Sequence, residues 1–297
     1  MHGVVNLDKP VGPTSHDMVG LLRRLTSTRR VGHAGTLDPL ASGVLPILIG
    51  GATRFSAELT GGSKRYDALM RLGARSATDD AQGPIEAVAA PVPDAASVEE
   101  ALAAMVGTSM QVPPAFSARK VGGQTAHRAA RAGSPLELAP REVTIHHLDV
   151  RSIDLGDGWL DVAVDVGCGA GTYVRSIARD LGERLGSGGY LRALRRTEAA
   201  GLTVGSGHSP ERLEELAGLG RLQEAIMPVG PLLPLPRVVL DRDAAWRFVH
   251  GSAQHLNEPR EDGRLAVFTD ERLLGIGVLK DAILRPDKVL PEEALTR

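Results

Sequence analysis

At 297 residues, the chain is long enough for a sizeable core and for more than one domain, and its 42% hydrophobic and 24% charged composition is that of a soluble globular protein. The single Cys168 excludes an internal disulfide, and with no Cys/His pair at ligand spacing it argues against structural zinc, so no metal is expected. No apolar run approaches the roughly 20 residues of a membrane span, and no signal-peptide core opens the chain, so a cytoplasmic protein without membrane contact is expected.

The formal net charge of −2 conceals a segregation. Residues 1–75 hold ten Lys/Arg against five Asp/Glu, residues 112–151 six against three, and residues 175–196 six against two, whereas residues 76–111 hold six acids and no base. Such clustering suits a phosphate-binding face on a neutral protein, although ordinary solvated surface would produce it as well.

In chain order, residues 3–10 read as a strand stopped by Pro10 and a Gly12-Pro13 turn. Thr14-Ser15 offers a helix N-cap, followed by an apolar face of Met18, Val19, Leu21, Leu22 and Leu25. A glycine-punctuated loop runs from Val31 to Gly43, and strands are expected at 44–49 and 64–72. A short helix is expected over 98–106 and another over 126–132. Residues 160–166 alternate with Asp161 and Asp165 set toward solvent, predicting a half-exposed strand, and residues 172–185 form a helix ending at Gly186. The proline-rich segment 228–236 reads as a linker. Beyond it, a helix and short strands at 265–268 and 274–279 suggest a compact module.

Chemistry concentrates in three places. In the loop 32–43, three glycines permit unusual backbone angles, and Pro39 holds Asp38 away from helical geometry on a constrained turn; the loop lacks the P-loop pattern, and an Asp-Pro pair alone is more often a plain turn. Lys64-Arg65-Tyr66 sets a tyrosine able to stack on a base beside two cations able to meet phosphate. Between Gly169 and Gly182, Arg175 and Arg179 share a helical face at i, i+4. An arginine reaching an active-site aspartate would favour its ionised form, though both could equally be surface charges.

These segments together resemble the tRNA pseudouridine synthase family of the TruB type. The residues carrying the resemblance are Asn6 to Pro10 with Gly12 and Thr14-Ser15; Val31 to Pro39; Lys64-Arg65-Tyr66; Pro113 to Lys120; Gly171 to Gly182; and Leu191 to Arg196. They occur in family order between residues 3 and about 200. The end of the chain is similar to a PUA-type RNA-binding domain at Gly275-Ile276-Gly277 and Leu284-Arg285-Pro286.

The resemblance implies an α+β fold, with a mixed β-sheet catalytic domain and flanking helices over residues 1–230 and a small PUA-like domain over 237–297. It implies isomerisation of uridine to pseudouridine at position 55 of the tRNA T-loop, by base flipping and by cleavage and re-formation of the glycosidic bond, with no cofactor. Asp38 matches the catalytic aspartate, Tyr66 the base-stacking tyrosine and a candidate proton acceptor, and Arg175 the aspartate's partner. His33 matches the histidine that enters the disrupted T-loop, Tyr173 and Leu194 match residues lining the uridine pocket, and Lys9 with Pro10 matches a supporting basic turn near the active site, which places Lys9 among the expected substrate-binding residues. His127 and Phe116 depart from the family pattern within the RNA-gripping segment 112–133.

The expected partner is the T-arm of tRNA, bound by a monomer without an obligatory protein partner, and a secondary tRNA-folding chaperone role is compatible. Three rivals remain: a non-catalytic RNA-binding protein, a guide-RNA-dependent relative of the dyskerin type, and a nucleotide-binding enzyme built on the glycine loops. The segment 112–133 favours the stand-alone enzyme.

Overall fold

The computed structural model describes residues 1–117, 120–121, 123–134 and 136–291. Its largest sheet is mixed and runs in the order Gly3–Lys9, Ala41–Ile49, Gly189–Ala199, Lys64–Leu72, Leu160–Cys168, Arg141–Leu155, Gly107–Gln111, with Val31–His33 added beside Ala41–Ile49 and Leu202–Thr203 beside Gly189–Ala199. Only Gly189–Ala199 against Ala41–Ile49 is parallel. There Gly43 pairs with Arg196 at φ +101°, and a Cβ on it would lie 2.1 Å from the Arg196 carbonyl oxygen, so only glycine fits the crossing.

One face of this sheet carries the core. Alternate residues Tyr66, Ala68, Met70 and Leu72 are buried with Val162, Val164 and Val166 of the neighbouring strand and with Ile177, Ala178 and Leu181 of the helix Val174–Arg184. That helix begins two residues later than its sequence suggests, because Tyr173 is extended (φ −104°, ψ 112°) and its backbone is held from outside. The helix Ser15–Thr26 is capped by Thr14, whose hydroxyl accepts from the Asp17 N–H at 3.1 Å while the Asp17 carboxylate accepts from the Thr14 N–H at 2.8 Å. The helix expected over 98–106 occupies Ala95–Ala103, three residues earlier than the apolar residues suggest, because Asp94 caps it by accepting from Ser97 N–H at 2.8 Å.

The other face differs from the half-exposed surface expected of residues 160–166. Asp161 and Asp165 point away from the core yet are only 3% and 1% exposed, because arginines from adjacent strands lie over them. Arg71 grips Asp161 with two bonds of 2.7 Å and lies 3.8 Å above the Trp159 ring, and Arg65 grips Asp165 at 2.8 and 2.6 Å. Arg192 adds to Asp161, and Arg151 with His147 to Asp165.

A second sheet follows, ordered Arg237–Val239, Gly263–Thr269, Arg272–Lys280, Ile283–Val289, Gln254–His255, with the helix Arg242–Val249 packed on it through Phe248. The segment 228–236 is not a free tether. Met227 bridges to Val4, and Val229 and Leu233 are buried in a cluster joining Leu48, Phe55 and Leu59 to Phe268, Ile276 and Leu290. At this junction Glu58 accepts from Arg264 and Lys288, each at 2.7 Å. Among the described residues, no helix is long and apolar enough to cross a membrane.

Candidate active site

The loop between the strands Val31–His33 and Ala41–Ile49 is tied down at nearly every peptide, which is what a constrained aspartate requires. Ala34 N–H donates to Pro46 O at 2.9 Å, Ala41 N–H to Asp38 O at 3.0 Å, and Gly12 N–H to Pro39 O at 2.8 Å. Ser15, at the first position of its helix, bonds Leu37 twice: its hydroxyl donates to the carbonyl at 3.0 Å and accepts from the N–H at 2.8 Å. Arg196 reaches up from the sheet to Gly35 O at 2.9 Å and, more weakly, to Thr36 O at 3.5 Å, while its Nε donates to Val44 O at 2.7 Å. Gly35 takes φ +93°, a turn that a side chain would strain.

The Asp38 carboxylate emerges from this frame 39% exposed and meets Arg175, whose side chain is 5% exposed, with Nε 2.9 Å from Oδ2. The Nε–H is not aligned on that oxygen, so the contact is an ion pair rather than a directed hydrogen bond. The two terminal nitrogens of Arg175 donate to Thr78 O at 3.1 Å and Phe116 O at 3.0 Å, and Asp80 Oδ2 lies 3.7 Å from Nε. One turn on, Arg179 pairs with Asp79 at 3.0 Å and donates to Val112 O at 2.9 Å. The two arginines are therefore internal ties, not surface charges. They fasten the acidic turn 78–80 and the start of the segment 112–133 to the wall that holds Asp38.

Asp38 and Arg175 stand between two hollows. The first is a cavity of about 280 Å³ lined by Asp38, Tyr66, Tyr173, Leu194, Lys64 and Arg196, among others. Tyr66 is buried, and burial pushes its phenol above the ordinary value of 10, with Arg196 pulling the other way. Leu194 is set by its pairing with Ala41 and Ala68 on either side. Tyr173 is positioned by Gln111, whose side-chain oxygen accepts from the Tyr173 N–H at 2.9 Å and whose amide donates to the Tyr173 carbonyl at 3.2 Å. Cys168, next to Lys64 in the sheet, is buried and its thiol is pushed up to about 11, so it is not a nucleophile near neutral pH.

The second hollow, about 500 Å³, shares Asp38 and Arg175 and adds His33, His16 and Phe116. Burial lowers the His33 pKa, with Arg196 and then His16 acting the same way, so the imidazole is biased toward its neutral form.

Lys9 departs from the expectation that it contacts substrate. It is fully buried, and its ammonium donates to Pro10 O and Pro13 O at 2.8 Å each. Desolvation lowers its pKa to about 8, against the pull of Asp38. It holds the turn under the loop and presents nothing to a ligand. The side chain of His127 and residues Ala118 and Arg119 lie outside the described residues. Ser15, Asp80, Gln111 and Arg196 carry roles that the sequence did not assign. Ser15 is legible as part of a cap and of the first family motif but not as the tie to Leu37, and Gln111 sits in no motif.

Residues 23–174 match the TruB family pseudouridylate synthase, N-terminal domain. Curated relatives described as tRNA pseudouridine synthase B include one from Thermobifida fusca, 44% identical over 290 residues, covering 96% of this chain and 97% of the relative. Another, from Ralstonia pickettii, is 39% identical over 303 residues and covers 98% and 94%. Among solved structures, a chain of a Cbf5-Nop10-Gar1 complex superposes with a TM-score of 0.74 at 27% identity, covering 99% of this chain and 87% of that one. A chain of an H/ACA ribonucleoprotein bound to a substrate RNA containing 2′-deoxyuridine has the same TM-score at 24% identity, covering 98% and 86%, and shares the fold.

Proposed function

The chain belongs to the TruB family of pseudouridylate synthases and isomerises uridine in tRNA; we propose that its substrate is the T-loop uridine at position 55 and that Asp38 serves the cleavage and re-formation of the glycosidic bond. The observation that carries this reading is a carboxylate fixed on a buried arginine, in the wall of a cavity that also holds a tyrosine and a leucine facing the space a flipped base would fill. Fixed polar groups around a reacting centre need little rearrangement as charge develops.

In this reading the T-arm docks over the two hollows, the target uridine leaves its stack and enters the first, and His33 enters the disturbed loop from the second. Extrusion costs a few kcal/mol; stacking on Tyr66, worth about 1–3 kcal/mol, offsets much of it. A phenol raised above 10 is a poor proton acceptor at neutral pH, so we assign Tyr66 to stacking. Tyr173 and Leu194 bound the base, Lys9 supports the loop, and Arg175 orients the Asp38 carboxylate. Residues 1–230 would form the catalytic unit and 237–297 an RNA-binding unit of PUA type, acting as a monomer in the cytoplasm. Because carboxylate, tyrosine and arginine stand together in one cavity, the enzyme reading is favoured over a purely RNA-folding role.

Incubation with a tRNA transcript tritiated at uridine C5 tests the proposal. Wild type is expected to release tritium from a T-loop label, and Asp38→Asn to be slowed at least ~10⁴-fold, the scale of losing a residue that acts in the bond-making step, with tRNA binding retained. Release by Asp38→Asn at the wild-type rate rejects Asp38 as the catalyst; binding without release by either protein favours an RNA-folding role.

A further inference from the structure

The uridine cavity has an unbalanced charge. Arg175 meets Asp38 and Asp80, but two further cations lining the same cavity meet no carboxylate among the described residues. Lys64, 9% exposed, donates to two carbonyl oxygens, Thr60 O at 2.7 Å and Gly62 O at 2.5 Å, leaving its third N–H for the cavity. Arg196, 1% exposed, donates to the carbonyls of Val44, Gly35 and Thr36 and meets the Tyr66 phenol, with no carboxylate partner among the described residues. Arg196 acts to lower the Lys64 pKa, after desolvation by burial, and no carboxylate acts on either. Two like charges buried in the lining of one cavity without a counter-ion are costly. Arrangements of this kind persist where an anion is present during part of the working cycle.

Resting on the assignment of uridine isomerisation above, we propose that Lys64 and Arg196 form an anion-stabilising pair for the uracil while it is detached from the sugar. When the C1′–N1 bond breaks, its electron pair goes to N1, and the base carries one negative charge shared among N1, O2 and O4. That holds whether Asp38 bonds to C1′ or removes the C2′ proton. The base then turns and C5 closes on C1′ as Asp38 either leaves C1′ or returns its proton to C2′; the C5 proton leaves and N1 gains one, so no charge remains at the end. A base with one polar edge against cations can turn and keep a carbonyl oxygen near them. A pair of cations thus stabilises the detached state without fixing one orientation. The interaction is strongest when the base is anionic, so it lowers the barrier instead of merely tightening binding.

The test compares Lys64→Met, which keeps the aliphatic stem, with wild type in single turnovers on tRNA carrying either uridine or 5-fluorouridine at the target position, followed by nuclease digestion and chromatography. The fluorinated base is the more acidic leaving group and needs less help. Lys64→Met is expected to slow the uridine substrate about 100-fold, the scale of losing one preorganised donor to a developing anion, and the fluorinated substrate at least ~10-fold less severely, with tRNA affinity unchanged. Lys64→Arg, which keeps the charge, should recover most of the rate. Arg196→Gln, which removes the charge and is checked for a wild-type-like unfolding midpoint, should show the same bias toward the fluorinated substrate. Equal losses on both substrates, no loss on either, or no recovery with Lys64→Arg would overturn the pair. Failure of the wild type to convert uridine would instead overturn the functional assignment beneath it.

Discussion

The strand Lys64–Leu72 shows two electrostatic solutions on its opposite faces. Toward solvent, Arg65 and Arg71 lie flat on Asp165 and Asp161 of the next strand, with fork-to-carboxylate bonds of 2.6 to 2.8 Å. Toward the core, one residue before Arg65, Lys64 is buried on carbonyls alone, and the neighbouring strand's Arg196 is likewise unmatched. Matched pairs of planar arginine with carboxylate bind strands together and leave no field to spare. Unmatched cations cost stability but project a field into the cavity. The face that looks charged in sequence is close to neutral, and the face that reads as core carries the usable charge.

If that division is right, substitutions on the two faces should separate rate from stability. The largest effect on rate among these is expected at Arg175. Arg175→Lys retains a cation but cannot span Asp38, Thr78 O and Phe116 O together. Displacing the carboxylate by even an ångström warrants a loss of ~100-fold in single-turnover rate, with tRNA affinity little changed. A lysine variant of wild-type rate would show that simple charge, not the three-way tie, is what Asp38 requires.

On the outer face the effect should be confined to stability. Asp165→Asn removes the anion that serves Arg65, Arg151 and His147. Those arginines are 43% and 60% exposed and can turn to water, so the expected loss is about 1–3 kcal/mol, below that of a fully buried pair, at unchanged activity per folded molecule. Its pH dependence has a definite sign. The hydrogen bond from Arg65 above all holds the Asp165 carboxyl well below the usual carboxylate range. Its contribution is fully present above the unfolded value of about 3.9 and is lost as pH falls through the folded value. Urea midpoints of wild type and variant should therefore converge on acidification below about pH 4; a gap that stays constant would assign the loss to shape instead of charge.

The same contrast explains what the sequence disclosed. The Asp38 loop announces itself because glycine and proline are local signals, and Arg175 with Arg179 follows from helical spacing. The burial of Asp161 and Asp165 does not, since period-two alternation assigns them to solvent and their covering arginines come from other strands, Arg71 being 90 positions before Asp161. The long strand Arg141–Leu155 escaped because irregular register at 145/147 and 150/152 breaks its alternation. Gln111 lies on Gly107–Gln111, a strand with too few apolar residues to register, and its hold on Tyr173 joins positions 62 apart. Lys9 and Arg196 were legible as motif members but not as buried ions, because hydropathy assigns such residues to the surface.

The smallest of these effects, and the most direct measure of an unmatched cation, is the pH dependence of Lys9. Arginines paired on the outer face do not titrate near neutrality, whereas burial brings the Lys9 ammonium down to about 8, with Asp38 acting in the opposite direction. Below about 8 both folded and unfolded chains carry this charge, and folding bears the cost of burying it. Between about 8 and the unfolded value of about 10.4, the folded chain releases a proton that the unfolded chain retains. The unfolded state then binds more protons, so this group makes stability rise with pH. Lys9→Met lacks that group. The stability of wild type relative to Lys9→Met should accordingly increase from pH 7.5 to 9.5 in urea unfolding, whatever its sign at neutrality. A difference independent of pH over that range would mean that Pro10 and Pro13 carbonyls together with Asp38 keep the charge on Lys9, and that the floor of the active site tolerates its cations more cheaply than their burial implies.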